Sequence, residues 1–145
     1  MLHDFARLYS AERLIAECVA RSMSIDSFEA RHPIVLHARL GAELARERFG
    51  VTDAGVLSAI ARHTVAAADM SRLDTIVYLA DGLEPGRDFP EREASEALAF
   101  ADLDAAMVDV LESSLRYLAS RGLEAAPQTL AALTTHRSRR SSLSA

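Results

Sequence analysis

Apolar residues return every three or four positions along most of this chain, and no stretch bounded by turns alternates apolar with polar residues, so the pattern predicts an all-α fold. Ser10 reads as the N-cap of a helix to about Arg21, with Leu14, Ile15, Cys18 and Val19 on its inner side. Asp26 with Glu29 spells a capping box for a short helix that ends before Pro33. The pattern is helical again from about Ile34 to Phe49, with Gly50 as C-cap, and His37 shares a face with Leu40, Gly41 and Leu44. Thr52 or Asp53 caps the next helix, whose apolar face is Val56, Leu57 and Ile60, and His63 falls one turn further along it. Both histidines are thereby predicted to point inward.

Ser71 opens a helix in which Leu73, Ile76, Val77 and Ala80 follow the spacing of a buried stripe, and Asp81 lies at the edge of that stripe. Asp74 stands where a carboxylate supports the cap and the positive end of the helix. After Pro90 an acidic, alanine-rich stretch leads to the clearest helix, about Leu103 to Arg121, with Leu103, Met107, Leu111, Leu115 and Leu118 as its stripe and Gly122 as its stop. Pro127 begins a last helix. Residues 137–145 show no apolar period and are expected to be a frayed or disordered tail, which leaves one compact helical bundle over residues 1–136.

Composition narrows the chemistry. The chain has 145 residues and a formal charge of -5, which disfavours broad binding to nucleic acid or to an anionic membrane. All 16 basic residues are arginine, so chemistry that needs a lysine amine is excluded: Schiff bases, a Walker-type phosphate loop and a kinase-type catalytic lysine. The single cysteine, Cys18, excludes intrachain disulfides and cysteine-rich zinc sites and reads as a small buried apolar residue. No apolar run is long enough to span a bilayer and no signal sequence opens the chain, so the cytoplasm is the default expectation.

A buried carboxylate needs a partner or a metal, because burying an unpaired charge is costly. His3, Asp4, His37, His63 and Asp81 come from four helical segments, and helical phasing turns at least three of them inward. Any one of them alone is more often a hydrogen-bonded core residue, a helix-end carboxylate or a salt-bridge partner. Together, with an adjacent His-Asp pair, they point to a metal centre of iron, manganese or zinc, and a carboxylate is able to bridge two such ions. His32 and His136 fall outside the pattern and are assigned surface or loop roles.

Several blocks carry a family resemblance: Leu2-His3-Asp4-Phe5-Ala6-Arg7, His32-Pro33 through Leu36-His37-Ala38-Arg39-Leu40-Gly41-Ala42, Arg62-His63-Thr64, Met70-Ser71, and Ile76 to Asp81 with Glu84-Pro85-Gly86-Arg87-Asp88-Phe89-Pro90. Asp102-Leu103-Asp104 and Arg116-Tyr117-Leu118 also fit. These blocks resemble the bacterial YqeK-like family of HD-domain proteins over nearly the whole chain. The resemblance implies an all-helical HD fold, a di-metal centre usually containing iron, and hydrolysis of diadenosine tetraphosphate into two ADP. It also implies that Asp4 bridges the metals, that His37 and His63 serve the second metal, and that His3 and Asp81 serve the first. Three departures stand out. The family's further histidine belongs to a helix upstream of the His-Asp pair, so the functional protein is expected to begin before Met1. Val65-Ala66-Ala67-Ala68 replaces the glycine that usually follows His-Thr-x, and Glu91 replaces the glycine after Phe-Pro.

Arg87 is the expected phosphate contact, since a guanidinium fork matches phosphate oxygens; its alternative role is an ion pair with Glu84 or Asp88. Thr64 is a further candidate for a hydrogen bond to phosphate or behind a ligand, or simply for capping its helix. Two competing readings remain at this level: a degenerate HD domain that binds a nucleotide or a partner without catalysis, and an HD phosphohydrolase acting on another nucleotide.

Overall fold

The computed structural model describes residues 2–87, 89 and 91–143, and of Leu143 the backbone alone. Helices account for all the regular structure among the described residues, as the periodicity requires. They sort into two compact units, Met1–Thr64 and Val65–Ala145.

The first unit opens on a 3-10 turn, Leu2–Asp4, followed by α1 (Ala11–Ala20), α2 (Ser27–Arg31), a second 3-10 turn (Pro33–Val35), α3 (Leu36–Phe49) and α4 (Ala54–Arg62). Each predicted cap is present: Ser10 accepts from Arg13 N, Asp26 and Glu29 close their box, and Asp53 accepts from Val56 N. Such caps contribute about 1 kcal/mol each. Leu14 and Cys18 of α1 pack with Leu36, Leu40 and Leu44 of α3, all fully buried. Val19, expected on that inner side, is 63% exposed, because the contact with α3 needs only the Leu14/Cys18 ridge. Burial pushes the Cys18 thiol up and keeps it inert, which matches its reading as a small apolar residue. Gly50 ends α3 in the left-handed conformation, at φ 66°.

The second unit holds α5 (Arg72–Gly82), α6 (Arg92–Ala101), α7 (Leu103–Ser120) and α8 (Pro127–Leu143). Its core gathers Met70, Tyr78, Leu79, Leu83, Met107, Val110, Leu111, Ala132 and Leu133. The predicted stripe of α5 is not the buried one. Leu73 and Ile76 are 40% and 43% exposed, while Asp74, Thr75, Tyr78 and Leu79 turn inward. Apolar residues lie on more than one face of α5, so periodicity alone could not choose, and packing against α7 did. Asp74 tolerates complete burial because its carboxylate accepts from Ser71 N at 2.8 Å in the capping box. Ile76 instead lines, with Leu79, Leu83, Phe100 and Asp104, a cavity of about 860 Å³.

Three further differences have local causes. The alanine-rich run after Pro90 is itself a helix, α6, on which Ser95 is buried and donates to the Glu91 carbonyl. α8 continues to Leu143, through most of the expected tail: Ser138, Ser141 and Ser142 each donate to the carbonyl four residues back, and Arg137 pairs with Glu112 at 2.7 Å. Ser144 and Ala145 lie outside the described residues. His136, assigned a surface or loop role, is fully buried, with Nδ1 2.5 Å from Asp104 Oδ1. Ala66, where the family glycine is missing, sits at φ 61° with its side chain buried, a conformation that costs an L-residue roughly 1 kcal/mol.

Candidate metal centre

The chemistry of the first unit is assembled by short local devices. His3 and Asp4 lie in the opening 3-10 turn, His37 is in the first turn of α3, and His63 is the C-cap of α4, with Thr64 next to it. α3 and α4 pack against each other and both meet the opening turn. Gly41 makes this approach possible: a Cβ there would stand 3.2 Å from the His3 carbonyl oxygen. A glycine inside a helix costs about 1 kcal/mol relative to alanine, so this one trades helix stability for the closeness of the His-Asp pair.

The ring nitrogens follow from the backbone. His37 Nδ1 is 2.5 Å from the Ile34 carbonyl and His63 Nδ1 is 2.7 Å from the Ile60 carbonyl. A carbonyl only accepts, so each Nδ1 carries a hydrogen and each neutral ring presents a bare lone pair at Nε2. The two Nε2 atoms are 3.2 Å apart, and each is 3.4 Å from Asp4 Oδ1. Three electron-rich atoms therefore converge where they cannot satisfy one another. A cation relieves this arrangement, and imidazole with carboxylate is a donor set that suits a first-row transition metal.

The other Asp4 oxygen, Oδ2, is 3.8 Å from His3 Nε2. His3, Asp4 and His63 each offer a ligand atom within 4.8 Å of the others. Asp4 thus turns one oxygen to the His37/His63 pair and the other to His3, which is the geometry a bridging carboxylate needs. The histidine pair is buried, whereas the Asp4 side chain is 39% exposed, so the centre opens to solvent on the carboxylate side. Burial pushes the His37 pKa below its ordinary value; the bond to the Ile34 carbonyl opposes this and the neighbouring His63 adds to it. The neutral ring, the form that ligates metal, is favoured. Thr64 Oγ1 lies 3.1 Å from His37 Nε2 and 3.3 Å from His63 Nε2.

Asp81 and Arg87 belong to the second unit. Arg87 Nη2 donates to Asp81 Oδ2 at 3.1 Å, and its Nε stands 3.5 Å from Glu84. The ion pair foreseen with Glu84 is therefore present, and Asp81 is a second carboxylate partner; Asp88 lies outside the described residues. Gly41 and the carbonyls of Ile34 and Ile60 were not singled out from sequence. A glycine on a histidine-bearing helix face was the available signal for the first. The carbonyls had none beyond their position three residues before each histidine.

Comparison with known proteins gives the family. The HD domain model matches residues 1–86. The chain is 32% identical to a "Bis(5'-nucleosyl)-tetraphosphatase, symmetrical" of Halalkalibacterium halodurans over 88% of this chain and 79% of that protein. It is 30% identical to the protein of the same description from Bacillus subtilis, over 89% of this chain and 69% of that one. A crystal structure of a predicted HD superfamily hydrolase involved in NAD metabolism, from Clostridium acetobutylicum, superposes with a TM-score of 0.91 at 30% identity, covering 95% of this chain and 73% of that one. The HD match over more than half the chain, and this identity to relatives most of whose length it spans, place the chain in the HD-domain family of metal-dependent hydrolases, within its YqeK-like branch.

Proposed function

We propose that this protein is a metal-dependent phosphohydrolase that cleaves diadenosine tetraphosphate symmetrically into two ADP. The observation that carries the reading is the convergence of His37 Nε2, His63 Nε2 and Asp4 Oδ1 within 3.2 to 3.4 Å, a donor set with no internal donor. The substrate comes from the symmetrical tetraphosphatases to which the chain is similar. His3, Asp4, His37 and His63 would hold the metal, and Asp81 is the further ligand that the resemblance implies; iron is the expected metal, with manganese or zinc as alternatives. When bound, these ions supply Lewis-acid polarisation of a phosphoryl oxygen and activation of water near neutral pH.

The chain's own groups do the rest. The Nδ1–H bonds to Ile34 and Ile60 hold both imidazoles in the ligating tautomer and fix their orientation. The half-open Asp4 side leaves the polyphosphate a solvent-facing approach. Arg87 contacts phosphate with a guanidinium that its carboxylate neighbours keep oriented, and Thr64 offers a hydroxyl beside the histidine pair. The setting is cytoplasmic, in keeping with the absence, among the described residues, of a helix long and apolar enough to cross a membrane.

The test is product chromatography after incubating the metal-loaded chain with diadenosine tetraphosphate. ADP as sole product is expected. Equimolar AMP and ATP would exclude the symmetric cut, and turnover of a different nucleotide in a substrate panel, with none of this one, would redirect the substrate.

A further inference from the structure

Resting on the metal-centre reading above, we propose that the Thr64 hydroxyl and the metal compete for the same imidazole lone pairs, so that metal loading frees Thr64 to bind a phosphate oxygen. Thr64 Oγ1 is within hydrogen-bond reach of both Nε2 atoms, at 3.1 Å and 3.3 Å. Neither nitrogen has a hydrogen to offer it, because both rings have committed theirs at Nδ1 to backbone carbonyls. The hydroxyl is therefore the donor in this contact. It has one hydrogen for two acceptors and serves one nitrogen at a time.

A nitrogen whose lone pair is given to a metal no longer accepts a hydrogen bond. Metal on the histidine pair thus takes both acceptors from Thr64 together. The hydroxyl stays beside the centre, because Thr64 follows directly on the His63 cap at the end of α4. A part-buried donor without an acceptor is costly, and an anionic oxygen arriving at the centre supplies one. Metal and phosphate are therefore coupled through this side chain: the hydroxyl weakens metal binding and strengthens phosphate binding to the loaded protein, and linkage makes the effect reciprocal. A threonine that only capped its helix would move neither affinity.

The experiment uses the full chain stripped with chelator, calorimetric titration with Mn²⁺, and then titration of the loaded protein with inorganic phosphate. Thr64→Val and Thr64→Ala remove the hydroxyl, and Thr64→Ser keeps it. One neutral hydrogen bond corresponds to about a fivefold change in an affinity. Expected is Mn²⁺ bound about fivefold more tightly, and phosphate about fivefold more weakly, by the hydroxyl-free variant, with Thr64→Ser like the parent. If the parent takes up no metal, the metal-centre reading falls and this inference with it. If the parent binds metal and the hydroxyl-free variants match it for both ligands, or change one affinity without the opposite change in the other, the coupling alone is overturned.

Discussion

His37 and His63 of the first unit and His136 of the second are equally hidden, at 3%, 4% and 0% exposure, yet their surroundings give them different chemistry. In the first unit each ring gives its Nδ1 hydrogen to the backbone carbonyl three residues before it and points its other nitrogen at a second imidazole and a carboxylate. In the second, Nδ1 of His136 faces Asp104, which Arg139 also approaches at 3.7 Å, and Nε2 is buried without a hydrogen-bond partner among the described residues. What separates the two regions is whether a buried lone pair meets other lone pairs, not burial itself. His136 instead ties α8 to α7, a buried polar link whose role is structural.

The sharpest break between the two regions comes from Asp4→Ala, which should cut hydrolysis by at least about a thousandfold and abolish the rise in Tm on adding metal, while His136→Ala leaves turnover per folded molecule unchanged. Equal losses in both variants would erase the distinction. Urea denaturation of His136→Ala should show a loss of about 3 kcal/mol, the low end for breaking a buried pair, because the Asp104 side chain is still 26% exposed and keeps Arg139. Gly41→Ala should weaken metal binding roughly tenfold by pushing the His3 backbone away, even as the helix gains propensity. Unchanged metal affinity there would mean that the opening turn gives way without moving its ligands. Asp104→Asn keeps an acceptor for His136 and should cost about 1 kcal/mol; a loss near that of His136→Ala would show that the pair is ionic.

The smallest effect concerns Tyr78, whose phenol burial pushes up to about 12, with Asp81 adding to the shift. The unfolded chain loses this proton near pH 10, the ordinary value, while the folded chain keeps it. The stabilisation is thus complete below pH 10 and is lost as pH rises through about 12. Ultraviolet titration of the 3 tyrosines should show one ionising last, and Tyr78→Phe should remove it.

Much of the fold was legible because helix ends are written locally. Ser10, Asp26, Asp53 and Ser71 each accept from a backbone N–H three residues on, as their residue types and positions require. The inward turn of His37 and His63 was legible for the same reason, since each shares a helical face with leucine or isoleucine. The buried face of α5 was not, because several of its faces are apolar and only contact with α7 selects one. Nor was the extension of α8, where serine-to-carbonyl bonds and the Arg137–Glu112 pair support a run without apolar period.

The sequence by itself determined the helical class, the capped ends and the kinds of side chain available: histidines, carboxylates and arginines, without lysine and with one cysteine. Only the tertiary structure decided which nitrogens meet. His37 and His63 stand 26 residues apart in sequence and 3.2 Å apart at Nε2, and Asp4 joins them because Gly41 lets the opening turn come close. Periodicity reports the direction of a side chain on its own helix, over a few residues. Convergence depends on how separate helices pack, and no local pattern encodes it; it singled out His37 and His63, and left His136, equally buried, holding two helices together.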